Sequence, residues 1–245
     1  MTIDPTGATP PVGIASPASL AVSTVIFALR PDPVTSIMTL WLPLVRRIRQ
    51  PHLGLWALPG GWLPEDEELG AAAGRTLRET TGLSPKYLEQ LYTFGGIGRS
   101  PGTRVVSVVY WAMVESEEAA RTAVGENVRW FPADHLPELA FDHNTIVEYA
   151  QWRLRTKVEY SRIAHAFLGE TFTLAQLREV HEAVLRKPLD PANFRRMIEA
   201  SKVVVATEER LAGAPHRPPR LYRYDSSIDL ADQGPLGPAI IGSAL

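Results

Sequence analysis

Between Gly61 and Leu83 the chain reads GWLPEDEELGAAAGRTLRETTGL, and no other stretch limits the possible folds so strongly. The short apolar segment Leu55 to Leu58 leads into Gly60 and Gly61, and the acids Glu65, Asp66, Glu67 and Glu68 follow. From Glu68 to Thr80 the residues are mostly Ala, Leu, Arg, Glu and Thr, with Leu69, Ala72, Ala73 and Leu77 recurring three and four apart. That spacing predicts an amphipathic helix with one face on a core. Acids at its start suit the helix dipole, and Gly82 provides a stop in the left-handed conformation. Positions 76, 79 and 80 project from one side of such a helix, where the sequence has Thr76, Glu79 and Thr80. A strand, a glycine turn, an acidic loop and a helix in this order call for a sheet on which the helix can lie.

The flanking sequence supplies that sheet. AVSTVIFAL from Ala21 to Leu29 is β-branched and apolar, and Ile37 to Val45 resumes that character after the turn-rich RPDPVTS, which predicts paired strands. Further strand-like segments run from Leu88 to Phe94 and from Val105 to Val114, so the first half reads as α+β. At 245 residues, 45% hydrophobic and 21% charged, the chain can bury a sizeable core. It contains no cysteine, which excludes disulfides, thiol nucleophiles and Cys-ligated metals. The formal charge of −2 means that any basic face must be local. No apolar run approaches the roughly 18 residues of a membrane span, and no basic start precedes an apolar one, so a cytoplasmic location and no membrane partner are expected. Residues 1–19 and 226–245 read as a disordered arm and a flexible tail.

After Trp130 the pattern changes. NTIVEYAQWRLR from Asn144 to Arg155 is helical, and the sequence divides at this point into a unit spanning 20–142 and one spanning 143–225. Thr173 and Gln176 form a capping box before LAQLREVHEAVL, and Asp190 with Pro191 opens PANFRRMIEAS, whose buried stripe is expected at Phe194, Met197 and Ile198. Two capped helices joined by RKPLD form a helix-turn-helix pattern. VVVAT, a turn containing Gly213 and Pro215, and RLYRY from Arg220 add a hairpin, the wing. Asn193, Arg195, Arg196 and Lys202 fall outside the apolar stripe. Arg186, Lys187, Arg217, Arg220 and Arg223 gather positive charge nearby, which fits a DNA backbone better than it fits an ordinary solvated face.

The segment from Gly61 to Leu83 resembles the Nudix box, with Gly61, Glu67, Arg75, Leu77, Glu79, Gly82 and Leu83 at family positions. The resemblance implies an α/β/α sandwich, with Glu67 and Arg75 as the ion pair that holds the loop to the helix. It also implies three carboxylates on one face of that helix, and here two of the three positions are Thr76 and Thr80. A hydroxyl brings no charge to a Mg²⁺ site, so catalysis is expected to be lost, with no catalytic residue, no metal site and no required cofactor. Glu65, Asp66 or Glu68 standing in as ligand is the alternative, and with it an active pyrophosphatase acting on ADP-ribose or a nucleoside diphosphate derivative.

The whole layout, including FPADHLPELAFDH, FTLAQLREVHEAVL, DPANFRRMI and RPPRLYRYD, resembles the Nudix-related transcriptional regulators of NAD metabolism in bacteria. That resemblance implies a Nudix domain followed by a winged helix-turn-helix, and repression of NAD biosynthesis or salvage genes. It further implies ADP-ribose or a related nucleotide as effector and a homodimer on palindromic operator DNA. Ligand contacts are then expected from Gly60, Gly61, Glu67, Arg75 and Glu79, and DNA contacts from Thr173, Asn193, Arg195, Arg196, Lys202, Arg217 and Arg220. None of the six histidines forms a close ligand pair, and each is expected to be a surface or packed residue. Tyr92, Phe94, Tyr110 and Trp111 are expected in the core, while Trp56 and Trp62 fit either packing or stacking on a base.

Overall fold

The structure, a computed structural model, describes residues 17–85, 87–121, 126–158, 162–211 and 218–225. The arm through residue 16, the tail from 226 and Arg217 lie outside the described residues. In chain order the elements are β1 (Ser19–Pro31), β2 (Met38–Arg46), β3 (Trp56–Ala57), β4 (Gly60–Trp62), α1 (Leu69–Thr81), β5 (Tyr87–Phe94), β6 (Val105–Val114), α2 (Ser116–Arg121), β7 (Val128–Pro132) and α3 (His143–Val158). A 3-10 turn at Arg162–Phe167 leads to α4 (Leu174–Leu185), α5 (Pro191–Ser201), β8 (Val204–Arg210) and β9 (Arg220–Tyr224).

β1 organises the first half. It runs parallel to β6, from Ser19 beside Val105 to Ala28 beside Val114. Its other edge is shared: β4 pairs with Ala21 to Ser23, and β2 with Ala28 to Pro31, both antiparallel. β5 lies antiparallel on β6, and β7 and β3 on β2. Successive strand residues point to opposite faces, and the central strands are apolar throughout because both faces are covered. Val22, Ile26 and Ala28 of β1, with Val108, Tyr110, Ala112 and Val114 of β6, meet Ala72, Ala73 and Leu77 of α1. Val25, Phe27 and Leu29, with Val109, Trp111 and Met113, meet Ile146, Val147, Ala150, Leu154 and Val158 of α3. The result is the expected sandwich, with α1 on one face and α3 on the other.

Local chemistry sets the helix ends. Gly82 closes α1 at φ 71°, donating its N–H to the Arg78 carbonyl 2.8 Å away. Thr173 and Gln176 make the capping box of α4, and Asp190 accepts from the Asn193 N–H at the start of α5, with Pro191 in the first turn. β8 and β9 pair as an antiparallel hairpin, and Phe172 exchanges backbone hydrogen bonds of 2.9 and 2.8 Å with Tyr222. Two helices and a hairpin of this kind form a winged helix.

Several expectations are corrected. Met197 is 52% exposed, because on α5 it falls at the edge of the stripe that Phe194 and Ile198 define. Tyr92 is also exposed, and it stacks with Phe94 and Tyr149 on the outside of β5. α3, which the sequence groups with the second half, packs on the sheet, and the same apolar cluster continues without a break to Val184, Phe194 and Ile198.

Candidate functional site

A recess of about 420 Å³ opens where the end of β2, the β4 glycines, α1 and the start of α3 converge. Gly60 and Gly61 form part of its wall. At Gly60 a Cβ would come within 2.5 Å of the Val22 carbonyl oxygen and 2.8 Å of Ser23 Oγ, so the close pairing of β4 with β1 requires a glycine. At Gly61 a Cβ would meet nothing, so no atom of the protein itself demands glycine there and the recess stays open. Thr80 faces the recess from α1 and Trp62, 63% exposed, from β4. Trp56 instead packs edge-on against Phe131, with ring centroids 5.0 Å apart.

Arg46, Arg47, Arg49 and Arg99 give the recess its electrostatic character, and none was singled out in the sequence. Two of the four are fixed. Arg47 donates to the Pro51 carbonyl at 2.8 Å and lies 4.7 Å from the centre of the Phe141 ring. Arg99, with its side chain 6% exposed, donates to both Asp142 oxygens at 2.9 and 2.7 Å and to Ser107 Oγ at 2.6 Å. Arg46 and Arg49 are exposed. Beneath them His143 Nδ1 accepts the Leu58 N–H at 2.9 Å. Burial pushes its pKa down to about 4, aided by the charges of Arg99 and Arg47 and opposed by Asp142. The imidazole is therefore a neutral part of the wall. The run RRIRQPH was the available signal, but a basic cluster after a strand reads as solvated surface until the fold turns it inward.

Glu67, Arg75 and Glu79 do not line the recess. Arg75 donates to both Glu67 oxygens at 2.8 and 2.6 Å and to Glu79 at 3.1 Å, which joins the acidic loop to α1. This guanidinium holds the Glu67 carboxyl below its usual range.

In the winged helix, Asn193, Arg195 and Arg196 are exposed at the start and middle of α5. Arg195 bonds Glu199 at 2.9 Å, and Arg196 bonds Asn193. Lys202 is exposed at the opposite end, as a left-handed C-cap at φ 57°, and Arg220 is exposed at the start of β9. Thr173 differs from these, being 4% exposed with its hydroxyl engaged by the Gln176 N–H at 3.1 Å. Its hydroxyl serves the cap and is turned from solvent, so the expected DNA contact does not hold for Thr173. Arg186 turns toward the first half, where it pairs with Asp134 and bonds Gln151, while Lys187 beside it is exposed.

A two-face sandwich with a glycine-walled recess, continuous with a winged helix, defines a Nudix fold joined to a DNA-binding module. A NUDIX domain model matches residues 26–151, and a model described as the NrtR DNA-binding winged helix domain matches residues 164–224. The chain belongs to the NrtR family. It is 34% identical over 187 residues, 74% of each chain, to an ADPR responsive transcriptional repressor, NtrR, of Acinetobacter baylyi. It is 33% identical over 111 residues, 45% of this chain and 66% of the relative, to an ADP-ribose pyrophosphatase of Methanocaldococcus jannaschii. The crystal structure of Shewanella oneidensis NrtR superposes with a TM-score of 0.72 at 37% identity, covering 84% of this chain and 94% of that one. The same protein complexed with a 27mer DNA gives 0.71 at 35% identity, covering 84% and 93%.

The residues present do not fit the divalent metal that a Nudix fold implies. Thr76 and Thr80 stand at two ligand positions, and Glu79 at the third is engaged by Arg75. Among the described residues no group of three or more His, Cys, Asp or Glu is placed to hold a metal ion.

Proposed function

We propose that this protein is a transcriptional repressor of NAD biosynthesis or salvage genes, whose recess binds ADP-ribose or a related nucleotide and whose winged helix binds operator DNA. The carrying observation is a recess lined by four arginines in a Nudix fold where Thr80 replaces an acid. Such a recess suits the diphosphate of a nucleotide. The likeness to the A. baylyi repressor and to the DNA-bound Shewanella protein supports the regulatory role. The first helical turns of α5, with Asn193, Arg195 and Arg196 outward, have the residue types that read adenine and guanine in the major groove, and Arg220 suits a phosphate. A single winged helix has too small a footprint for operator selectivity, which supports a homodimer on a palindrome.

The rival reading, hydrolysis of ADP-ribose, draws on the likeness to the pyrophosphatase and is disfavoured by Thr76 and Thr80. Both readings are tested on one preparation. Anisotropy titrations use a duplex selected by the protein from a random pool, and the same duplex scrambled. Arg195→Ala or Arg196→Ala is expected to cost about 1–3 kcal/mol on the selected duplex, and Arg220→Ala to weaken both duplexes alike. Stoichiometry is expected at two chains per duplex, and ADP-ribose with Mg²⁺ is expected to remain intact. Wild-type binding by all three folded variants overturns the DNA assignment, one chain per duplex overturns the dimer, and a turnover abolished by Glu79→Gln restores the enzyme.

A further inference from the structure

We infer that the recess holds its ligand's diphosphate directly on arginine side chains, with no divalent cation between them. The nucleotide's identity rests on the sensor reading above, while the diphosphate chemistry rests on the recess itself. In a metal-dependent diphosphate site, carboxylates hold a cation and the cation holds the phosphates. Here the wall has Arg46, Arg47, Arg49 and Arg99, and no Asp or Glu among its lining residues. Arg46, Arg47 and Arg49 raise the potential of the recess, while Asp142 offsets the charge of Arg99, and this balance opposes entry of a divalent cation and favours an anion. Asp142 and Glu79, each next in sequence to a lining residue, are already engaged. Both oxygens of Asp142 accept from Arg99, and Glu67 and Glu79 accept from Arg75 outside the recess.

The four arginines divide into two kinds. Arg47 and Arg99 are held in place before any ligand arrives, Arg47 by the Pro51 carbonyl and the Phe141 ring, Arg99 by Asp142 and Ser107. Such preorganisation lowers the entropy lost on binding. Arg46 and Arg49 stand exposed on the rim and are placed to close over the anion. Thr80, at a ligand position of the metal-dependent fold, presents a hydroxyl where a carboxylate would repel the phosphate. His143 stays neutral, so the charge of the recess comes from arginine at every pH near neutrality.

Calorimetry on the full chain tests this, with ADP-ribose titrated in EDTA and in Mg²⁺ at matched ionic strength, and inorganic pyrophosphate titrated in EDTA. Both ligands are expected to bind in EDTA, and the ADP-ribose Kd is expected to change less than about twofold with Mg²⁺. An Arg46→Ala/Arg49→Ala double variant, both positions being exposed, is expected to keep the wild-type urea midpoint and lose about tenfold or more in affinity for either ligand. ADP-ribose binding only with Mg²⁺, together with no pyrophosphate binding in EDTA, overturns the inference and leaves the sensor reading standing. Arginine-dependent pyrophosphate binding without ADP-ribose binding in either buffer supports the cradle and overturns the choice of nucleotide. Binding by neither ligand, or wild-type affinity in the folded double variant, overturns the cradle.

Discussion

His143 opens α3 with its ring buried against the β3–β4 connection, where Nδ1 accepts the Leu58 N–H and the proton must therefore sit on Nε2. Its pKa of about 4 lies below the ordinary value of 6.5. Above pH 6.5 the ring is neutral folded and unfolded. As pH falls from 6.5 toward 4 only the unfolded chain takes the proton, so stability is lost across that window, by about 3 kcal/mol for this group. Urea unfolding of wild type and His143→Asn at pH 7 and pH 4.5 checks it. The variant is expected to lose less stability between the two, and equal losses would contradict a buried neutral imidazole. Residues of this kind were not legible in the sequence. The Glu67–Arg75 pair was, through the resemblance to the Nudix box, which implies it. Arg46, Arg47 and Arg49 belong to one run, but only the folded sheet brings that run to Arg99 and His143 from two other segments, and nothing in the local sequence encodes that meeting.

The helices with local end signals were legible almost to the residue. α4 and α5 begin where Thr173, Asp190 and Pro191 place them, since a cap is made by residues within one turn. Strands with alternating or β-branched character were legible with ends displaced by up to about three residues, whereas β4, β7, α2 and the 3-10 turn were not, being short and held by distant partners. The sequence shows α3 as a helix but not that it packs on the sheet, because periodicity reports that a face is apolar and not what covers it. Its position matters: His143 at its start lines the recess, Asp142 just before it holds the lining Arg99, and Gln151 in its middle meets the helix-turn-helix. The Gln151 amide donates to the Ala133 carbonyl at 2.6 Å and accepts from Arg186 at 3.2 Å, and Arg186 is the left-handed cap that ends α4. Gln151→Ala is expected to lower stability by about 1–3 kcal/mol, as the buried Ala133 carbonyl is left without this hydrogen bond. It is also expected to blunt the response of DNA binding to ADP-ribose more than it changes either affinity alone. Urea titration with paired DNA titrations checks both, and an unaltered response in a destabilised protein would remove α3 from the route.

At the scale of the whole molecule, one apolar cluster joins the sheet that walls the recess to the helices that would meet DNA, from Val25 and Trp111 through Ile146 and Leu154 to Val184, Phe194 and Ile198. Close-packed interiors transmit displacement because they cannot deform continuously, so a ligand that shifts Arg99, Asp142 and the start of α3 acts on a body that includes α4 and α5. Linkage then requires reciprocity: if ADP-ribose changes affinity for DNA, DNA changes affinity for ADP-ribose by the same factor. The most direct measurement is a fluorescence anisotropy titration of the selected duplex with and without saturating ADP-ribose, at fixed salt, alongside calorimetry of ADP-ribose with and without saturating duplex. The account predicts that both Kd values change by one common factor of about fivefold or more. ADP-ribose that binds the recess and leaves the DNA Kd unchanged would contradict it.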